Sequence, residues 1–212
     1  MDSAARDDVR NRDIADTLQF AVVSVDYRLA PEHPWPAAPD DCEAAALWLV
    51  EHADARFGSS RLTIGGRSAG ATLAVATLLR LRDRAAVDGS APPPSSSAPT
   101  SLSGQTPAGR HIVDEYFIRA YASHVFDRTR PDISPIYGDL HGLPPALLVV
   151  GSDDVLLVDN LAMAGRLSAA GNEVELRIYP ESPHGFTGHP TATARTALSG
   201  IASWLVEHVT QP

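Results

Sequence analysis

The chain is poor in cysteine and has no long hydrophobic run, and each shortage excludes a class of protein. Cys42 is the one cysteine among 212 residues, so no internal disulfide can form. It lies in an apolar periodic run, which is typical of a buried helical thiol. No apolar stretch approaches the ~20 residues of a membrane-spanning helix. The opening MDSAARDDVRNRD is charged, unlike a secretory signal. These features predict a cytoplasmic globular protein without a membrane span.

Basic side chains are also scarce. The chain has 17 Lys and Arg residues and 26 Asp and Glu residues. The resulting net charge of -9 argues against a nucleic-acid partner. We find no metal-ligand spacing among His33, His111, His124, His141 and His189, and we therefore expect no metal and no cofactor. The oligomeric state cannot be inferred from the sequence.

Apolar runs of strand length alternate with segments of helical periodicity. The predicted strands are 20–27, 61–66, 146–151 and 174–180. The predicted helices are 39–55, 68–84, 112–126, 159–170 and 192–208. Asp40 or Asp41 is expected to cap the first long helix, and Gly171 to end the helix over 159–170. This alternation predicts an α/β fold, a mostly parallel sheet with helices on both faces.

One segment interrupts the alternation. Residues 88–109, DGSAPPPSSSAPTSLSGQTPAG, are rich in Pro, Ser and Gly and have almost no apolar side chain to bury. We expect this segment to be irregular and exposed within a single domain that spans 1–212.

A G-x-S-x-G motif stands between a predicted strand and a predicted helix. Gly66 and Gly70 frame Ser68, and an alanine-rich helix follows. This setting is typical of a nucleophile elbow, in which a sharp strand-to-helix turn exposes the serine hydroxyl. The N-terminus of the following helix favours negative charge that develops there.

A serine nucleophile needs a base and a group that orients the base. Asp153, Asp154 and Asp159 follow the strand 146–151, and His184 follows the strand 174–180. Serine, acid and histidine thus occur in the order used by hydrolases with this elbow. Each follows the C-terminal end of its own predicted strand, where open α/β sheets place their sites.

Four segments together resemble one family of enzymes. They are VSVDYRLAPEHPWPAAPDDCEAAALWL, GGRSAGATLA, DISPIYGDLHGLPPALLVVGSDDVLLVDN and YPESPHGF. They are similar to the bacterial hormone-sensitive-lipase-like esterases, the alpha/beta hydrolase fold-3 family, and the similarity covers nearly the whole chain except about 88–100. It implies an alpha/beta-hydrolase fold and a carboxylesterase or lipase that cleaves small-molecule carboxylic esters through an acyl-enzyme.

The resemblance also implies a role for each candidate site residue. Ser68 is the nucleophile, His184 the base and Asp154 the acid, because DVL matches the D-x-L of the family. Asp153 is the less favoured neighbour, and Asp159 is expected to cap the following helix. The Ala69 backbone N–H is the expected oxyanion donor.

Outside this set, the segment YRLAPEHPWP predicts structural roles rather than catalytic ones. The expectation for Arg28 and Glu32 is a structural ion pair. For Trp35, packing in the core and contact with substrate stay open as alternatives.

Two departures from the family lower the expected activity. The family has a His-Gly-Gly-Gly oxyanion loop before the strand 20–27, and a further strand after the elbow helix, and neither is found in this sequence. The first strands of the fold are also missing, so 61–66 is expected to lack a strand neighbour on each side. Losing one oxyanion donor costs about 10²–10³ in turnover, so we expect little ester hydrolysis by this chain. Two alternatives stay open: a non-catalytic hydrolase-fold protein that only binds a ligand, and a serine peptidase on the same fold.

Overall fold

A computed structural model describes residues 4–88 and 116–210. Its helices are α1 (Asp8–Leu18), α2 (Ala37–Phe57), α3 (Ala69–Asp88), α4 (Tyr116–Ala122), α5 (Leu157–Ala169) and α6 (Ala192–Thr210). Its strands are β1 (Ala146–Gly151) and β2 (Val174–Tyr179), and short 3-10 turns cover Ala4–Asp7, Pro135–Tyr137 and Phe186–Gly188. Of the described helices, none is both long and apolar enough to cross a membrane.

β1 and β2 form a parallel pair joined by α5. Ala146 lies opposite Val174, and the register runs to Gly151 opposite Tyr179. Parallel neighbours need a crossover of this kind. Because both strands end at the same edge, the loops that follow them start side by side.

The two faces of β1 pack against different helices. Ala146 and Leu148 lie in a buried cluster with side chains of α3 and α5, including Val75, Leu78, Met163 and Leu167. Leu147 lies in a second cluster with Trp204 and Leu205 of α6. Since successive side chains of a strand point to opposite faces, helices cover both faces of β1.

The predicted strands over 20–27 and 61–66 are wrong for the described part of the chain. Both segments run outside helices, and the described sheet contains β1 and β2 alone. Both segments and β1 border one cavity of about 810 Å³. A strand needs a neighbouring strand to pair with, and among the described residues the sheet pairs β1 with β2 alone. Apolar runs are typical of buried strands, but no residue of either segment is buried, and Val22 and Val23 are 38% and 45% exposed. Pairing and burial of such a run depend on a second segment.

Several predicted helix ends differ from the structure. The helix predicted over 112–126 is observed over Tyr116–Ala122, and 112–115 lie outside the described residues. α2 begins at Ala37, so Asp40 and Asp41 lie inside it and neither is its cap. Gly171 follows α5 with a φ of +81°, which confirms the predicted end. The segment predicted to be irregular, 88–109, lies outside the described residues apart from Asp88 at the end of α3.

The loop after 20–27 is attached to helix α2. The Arg28 guanidinium lies 2.7 Å from Asp41 Oδ1, and the Arg28 N–H donates to the same carboxylate. The predicted pair with Glu32 is therefore wrong. Trp35 donates its backbone N–H to Tyr121 O and has the Arg130 guanidinium 4.8 Å from its ring centroid, which favours the packing role. Cys42 lies half-buried in α2, and burial raises the pKa of its thiol to about 11.

Candidate active site

Ser68 occupies a tight turn between the extended segment 61–66 and α3. Its φ is +51°, a left-handed conformation that non-glycine residues rarely adopt. The turn is closed by hydrogen bonds from Gly70 N–H to Arg67 O and from Ala71 N–H to Ser68 O, at 2.9 and 3.0 Å. A Cβ at Gly66 would lie 2.3 Å from the Gly70 carbonyl carbon, so this position requires glycine. The strained serine and the close glycines form an elbow, and strain of this kind is concentrated at functional sites.

The structure brings the three predicted triad side chains together. His184 Nε2 lies 3.0 Å from Ser68 Oγ. His184 Nδ1 lies 3.0 and 3.1 Å from the two carboxylate oxygens of Asp154. The imidazole thus spans from the hydroxyl to the carboxylate, with one ring nitrogen on each. This arrangement lets Nε2 accept the hydroxyl proton while Asp154 accepts Nδ1–H.

The contact between Asp154 and His184 shifts the pKa of both groups. Burial alone would raise the pKa of Asp154, whose side chain is 8% exposed, but hydrogen bonds from His184 and from Leu156 N–H outweigh it and hold that pKa below its usual value. The hydrogen bond to Asp154 raises the pKa of His184, against a smaller opposing effect of burial. The carboxylate therefore stays ionised while the imidazole becomes a stronger base.

The other two aspartates take different positions. Asp153 Oδ1 accepts a hydrogen bond from Ser152 Oγ at 2.9 Å. Asp159 is 1% exposed and is the third residue of α5, whose N-cap is Leu156. The expectation that Asp159 caps this helix is therefore wrong. Asp154 takes part in the helix start instead, since its Oδ1 accepts the Leu156 N–H at 2.8 Å.

Ala69 is the first residue of α3 and directly follows Ser68. Amides in the first turn of a helix have no acceptor within the helix, and they lie at the positive end of its dipole. The position of Ala69 is therefore compatible with an oxyanion donor.

The elbow carries one ion pair that the sequence did not indicate. Arg67, inside the G-x-S-x-G motif, lies 2.5 Å from Asp7 at the start of the first helix. Arg10, one turn further along, borders the same cavity, and desolvation and the nearby Arg67 charge lower its pKa. The charge of Arg67 next to the serine was visible in the sequence. Its partner, Asp7, is 60 residues away and could not be identified from the sequence.

The elbow opens onto the cavity of about 810 Å³, which Ser68, Asp154 and His184 line together with apolar side chains. Over residues 4–88 and 116–210, no group of three or more His, Cys, Asp or Glu side chains could hold a metal ion.

Comparison with known proteins supports the resemblance seen in the motifs. The profile of the alpha/beta hydrolase fold family matches residues 1–188. The carboxylic ester hydrolase LipN of Mycobacterium tuberculosis is 35% identical over 181 residues, which are 78% of this chain and 48% of LipN. The carboxylesterase NlhH of the same species is 38% identical over 206 residues, 87% of this chain and 63% of NlhH.

A solved structure agrees in fold. A hormone-sensitive lipase from a metagenome library superposes with a TM-score of 0.80 at 34% identity, over 92% of this chain and 70% of that one. The chain spans less than two thirds of the length of the two mycobacterial relatives. The predicted α/β class is confirmed, and the chain belongs to the alpha/beta hydrolase fold family, among its bacterial hormone-sensitive-lipase-like members.

Proposed function

We propose that this protein is a serine hydrolase of the carboxylesterase type, with Ser68 as nucleophile, His184 as base and Asp154 as orienting acid. The observation that carries the proposal is the pair of hydrogen bonds that His184 makes, one to Ser68 Oγ and one to Asp154. The names of the relatives, carboxylic ester hydrolase and carboxylesterase, favour a carboxylic ester as substrate.

The geometry supports a two-step acyl transfer. Ser68 Oγ attacks the ester carbonyl carbon while His184 Nε2 takes the hydroxyl proton. The tetrahedral oxyanion accepts a hydrogen bond from Ala69 N–H, and its collapse expels the alcohol, which receives the proton from His184. Water then attacks the acyl-Ser68 ester with the same base, which releases the acid and regenerates the serine. Asp154 stays ionised throughout and stabilises the imidazolium.

The rate of ester hydrolysis by the 212-residue chain stays a prediction. Ala69 is the one oxyanion donor that we assign among the described residues, and segment 61–66 has no strand neighbour there. A donor missing from the oxyanion hole costs about 10²–10³ in turnover, so slow hydrolysis is expected. The absence of a nucleic-acid partner and the cytoplasmic location, inferred from composition, also stay predictions.

An assay with three substrates and two variants tests the proposal. We expect slow release of p-nitrophenol from p-nitrophenyl butyrate by the wild type, no release above background by Ser68→Ala, and no cleavage of a peptide p-nitroanilide. Ser203→Ala, which changes an exposed serine of α6, is the matched control and should keep the wild-type rate. p-Nitrophenyl phosphate controls for contaminating phosphatase.

The two alternatives make different predictions for the same assay. Peptide cleavage that depends on Ser68 would favour the serine peptidase. A non-catalytic protein would give equal background rates for the wild type and for Ser68→Ala, with no acyl group attached to Ser68 in the intact mass.

A further inference from the structure

Two loops carry the acid and the histidine. The acid loop, residues 152–156, follows β1, and the histidine loop, residues 180–185, follows β2. Because β1 and β2 are parallel neighbours, the placement of one loop against the other decides whether Asp154 and His184 meet. We propose that Ser152 is a positioning residue, whose hydroxyl holds the histidine loop on the acid loop and so keeps His184 Nδ1 on Asp154. The proposal rests on the proposed hydrolase function.

Besides the Asp154–His184 pair, two hydrogen bonds join the loops, and a third joins the acid loop to the last residue of β2. Ser152 N–H donates to Tyr179 O at 2.8 Å, and Asp153 N–H donates to Ser182 O at 3.1 Å. Glu181 N–H donates to Ser152 Oγ at 2.9 Å. The bonds to Tyr179 and Ser182 join backbone to backbone and survive a change of side chain. The bond from Glu181 depends on the Ser152 hydroxyl alone, so a single substitution removes it.

The Ser152 hydroxyl is itself oriented. It donates its proton to Asp153 Oδ1 at 2.9 Å, which leaves its lone pairs available to Glu181 N–H. A serine hydroxyl has one proton and two lone pairs, so both contacts are satisfied together.

The residue that Ser152 holds is a strained one. Glu181 has a φ of +50°, in the left-handed region, and lies three residues before His184. Without the hydrogen bond on its N–H, the backbone of Glu181 is freer to relax to a more common conformation. Such a change would redirect the chain that leads to His184.

Close packing transmits any shift between the loops. A Cβ on Gly151 would lie 1.8 Å from Ser182 O, so the end of β1 and the histidine loop are in direct backbone contact. Ser182 is 3% exposed, and its hydroxyl donates to Pro180 O at 2.9 Å. The histidine loop is therefore compact, and we expect it to move as a unit when its attachment is loosened.

The pKa of the His184 imidazole depends on how the histidine loop is held against the acid loop. The ring is hydrogen-bonded to Asp154 and to Ser68. Other charged groups nearby are Asp153 and Glu181 on the two loops, and Arg67 on the elbow, which is paired with Asp7. Hydrogen bonding to Asp154 is the largest effect on the pKa of His184 and raises it. Loosening the histidine loop should lower this pKa.

The test has two measurements. NMR of ¹³C-imidazole-labelled protein gives the His184 pKa, with His184→Gln used to assign the resonance. The second measurement is the rate at which a fluorophosphonate phosphonylates Ser68. Ser152→Ala should lower the pKa by about half a pH unit. It should slow phosphonylation about five- to tenfold, since small misplacements of a catalytic group are costly. Ser152→Thr keeps the hydroxyl and should restore the His184 pKa, and should restore the rate to within about twofold of wild type, whereas Ser203→Ala should alter neither.

An unchanged His184 pKa and rate in Ser152→Ala would overturn the proposal, as would equal losses in Ser152→Ala and Ser152→Thr. Failure of the hydrolase proposal appears separately, as a wild-type Ser68 that is never phosphonylated. In that case the His184 pKa alone still tests whether Ser152 positions His184.

Discussion

His184 Nε2 lies 3.0 Å from Ser68 Oγ, although 116 residues separate the two in the chain. The serine is presented by the elbow before α3, and the histidine by the loop after β2. Their contact therefore depends on how two distant parts of the fold pack. The same imidazole reaches Asp154 on its other nitrogen, so a change in any of the three groups is expected to affect the other two.

The first prediction concerns the acid. Asp154→Asn removes the carboxylate that raises the pKa of His184. The neutral imidazole is the base, so the wild-type rate of Ser68 phosphonylation should rise with pH through a midpoint above about 6.5. In Asp154→Asn this midpoint should fall, and the plateau at high pH should drop about 10³–10⁴-fold. A pH series of phosphonylation rates measures both effects.

Asp153→Asn is the matched control for this series, since Asp153 contacts Ser152 rather than His184. Asparagine keeps an oxygen that can accept the Ser152 hydroxyl proton, so this variant should shift the midpoint and lower the rate far less than Asp154→Asn does. If Asp153→Asn rather than Asp154→Asn shifted the midpoint, the assignment of the acid would be wrong.

The second prediction concerns the elbow. Gly66→Ala places a methyl group 2.3 Å from the backbone of Gly70, so the turn must open and Ser68 must move. We expect loss of about 10²-fold in phosphonylation rate, together with a lower melting temperature. Circular dichroism checks the stability and intact-mass kinetics check the rate.

Gly165→Ala is the matched glycine control. Gly165 lies on an exposed side of α5, and an added Cβ there meets nothing within 4 Å. Alanine is a better helix former by about 1 kcal/mol, so this variant should be as stable as the wild type or more so, with unchanged reactivity. Equal behaviour of the two glycine variants would argue against the close packing of the elbow.

The third prediction concerns the core. Leu148 in β1 is 0% exposed and packs against side chains from α3 and α5. Leu148→Ala should lower the free energy of unfolding by about 2–5 kcal/mol, a large share of the 5–15 kcal/mol typical of a domain. Urea unfolding should show the loss, whereas Leu161→Ala in α5, where leucine is 44% exposed, should cost much less. Similar losses would mean that β1 is not the centre of the core.

The sequence predicted the site better than it predicted the sheet. Ser68 and His184 could be predicted to meet because each follows a local signal, a glycine-framed turn or a short loop directly after an apolar strand. The choice of Asp154 over Asp153 and Asp159 came from the resemblance to the family's D-x-L. β1, β2 and the helix α5 between them were predicted because their periodicity is local too. Segments 20–27 and 61–66 have the same apolar composition, but whether such a run pairs depends on a neighbour elsewhere in the chain.

Side-chain partners were the least predictable part. Arg28 was expected to pair with Glu32, four residues away, but it pairs with Asp41 on α2. Asp7 meets Arg67 across 60 residues. Such pairs follow from tertiary packing, which no local pattern encodes.

The central claim is that His184 activates Ser68 as a nucleophile. Its most direct test is the rate at which a fluorophosphonate modifies the chain, with the modified residue mapped by peptide mass spectrometry. The account predicts one modified residue, Ser68, at a rate that falls at least about 10³-fold in His184→Gln. His189→Gln, in the same region but without the contact to Ser68, should react like the wild type. Modification at another residue, or the same rate of Ser68 modification with and without His184, would contradict the account.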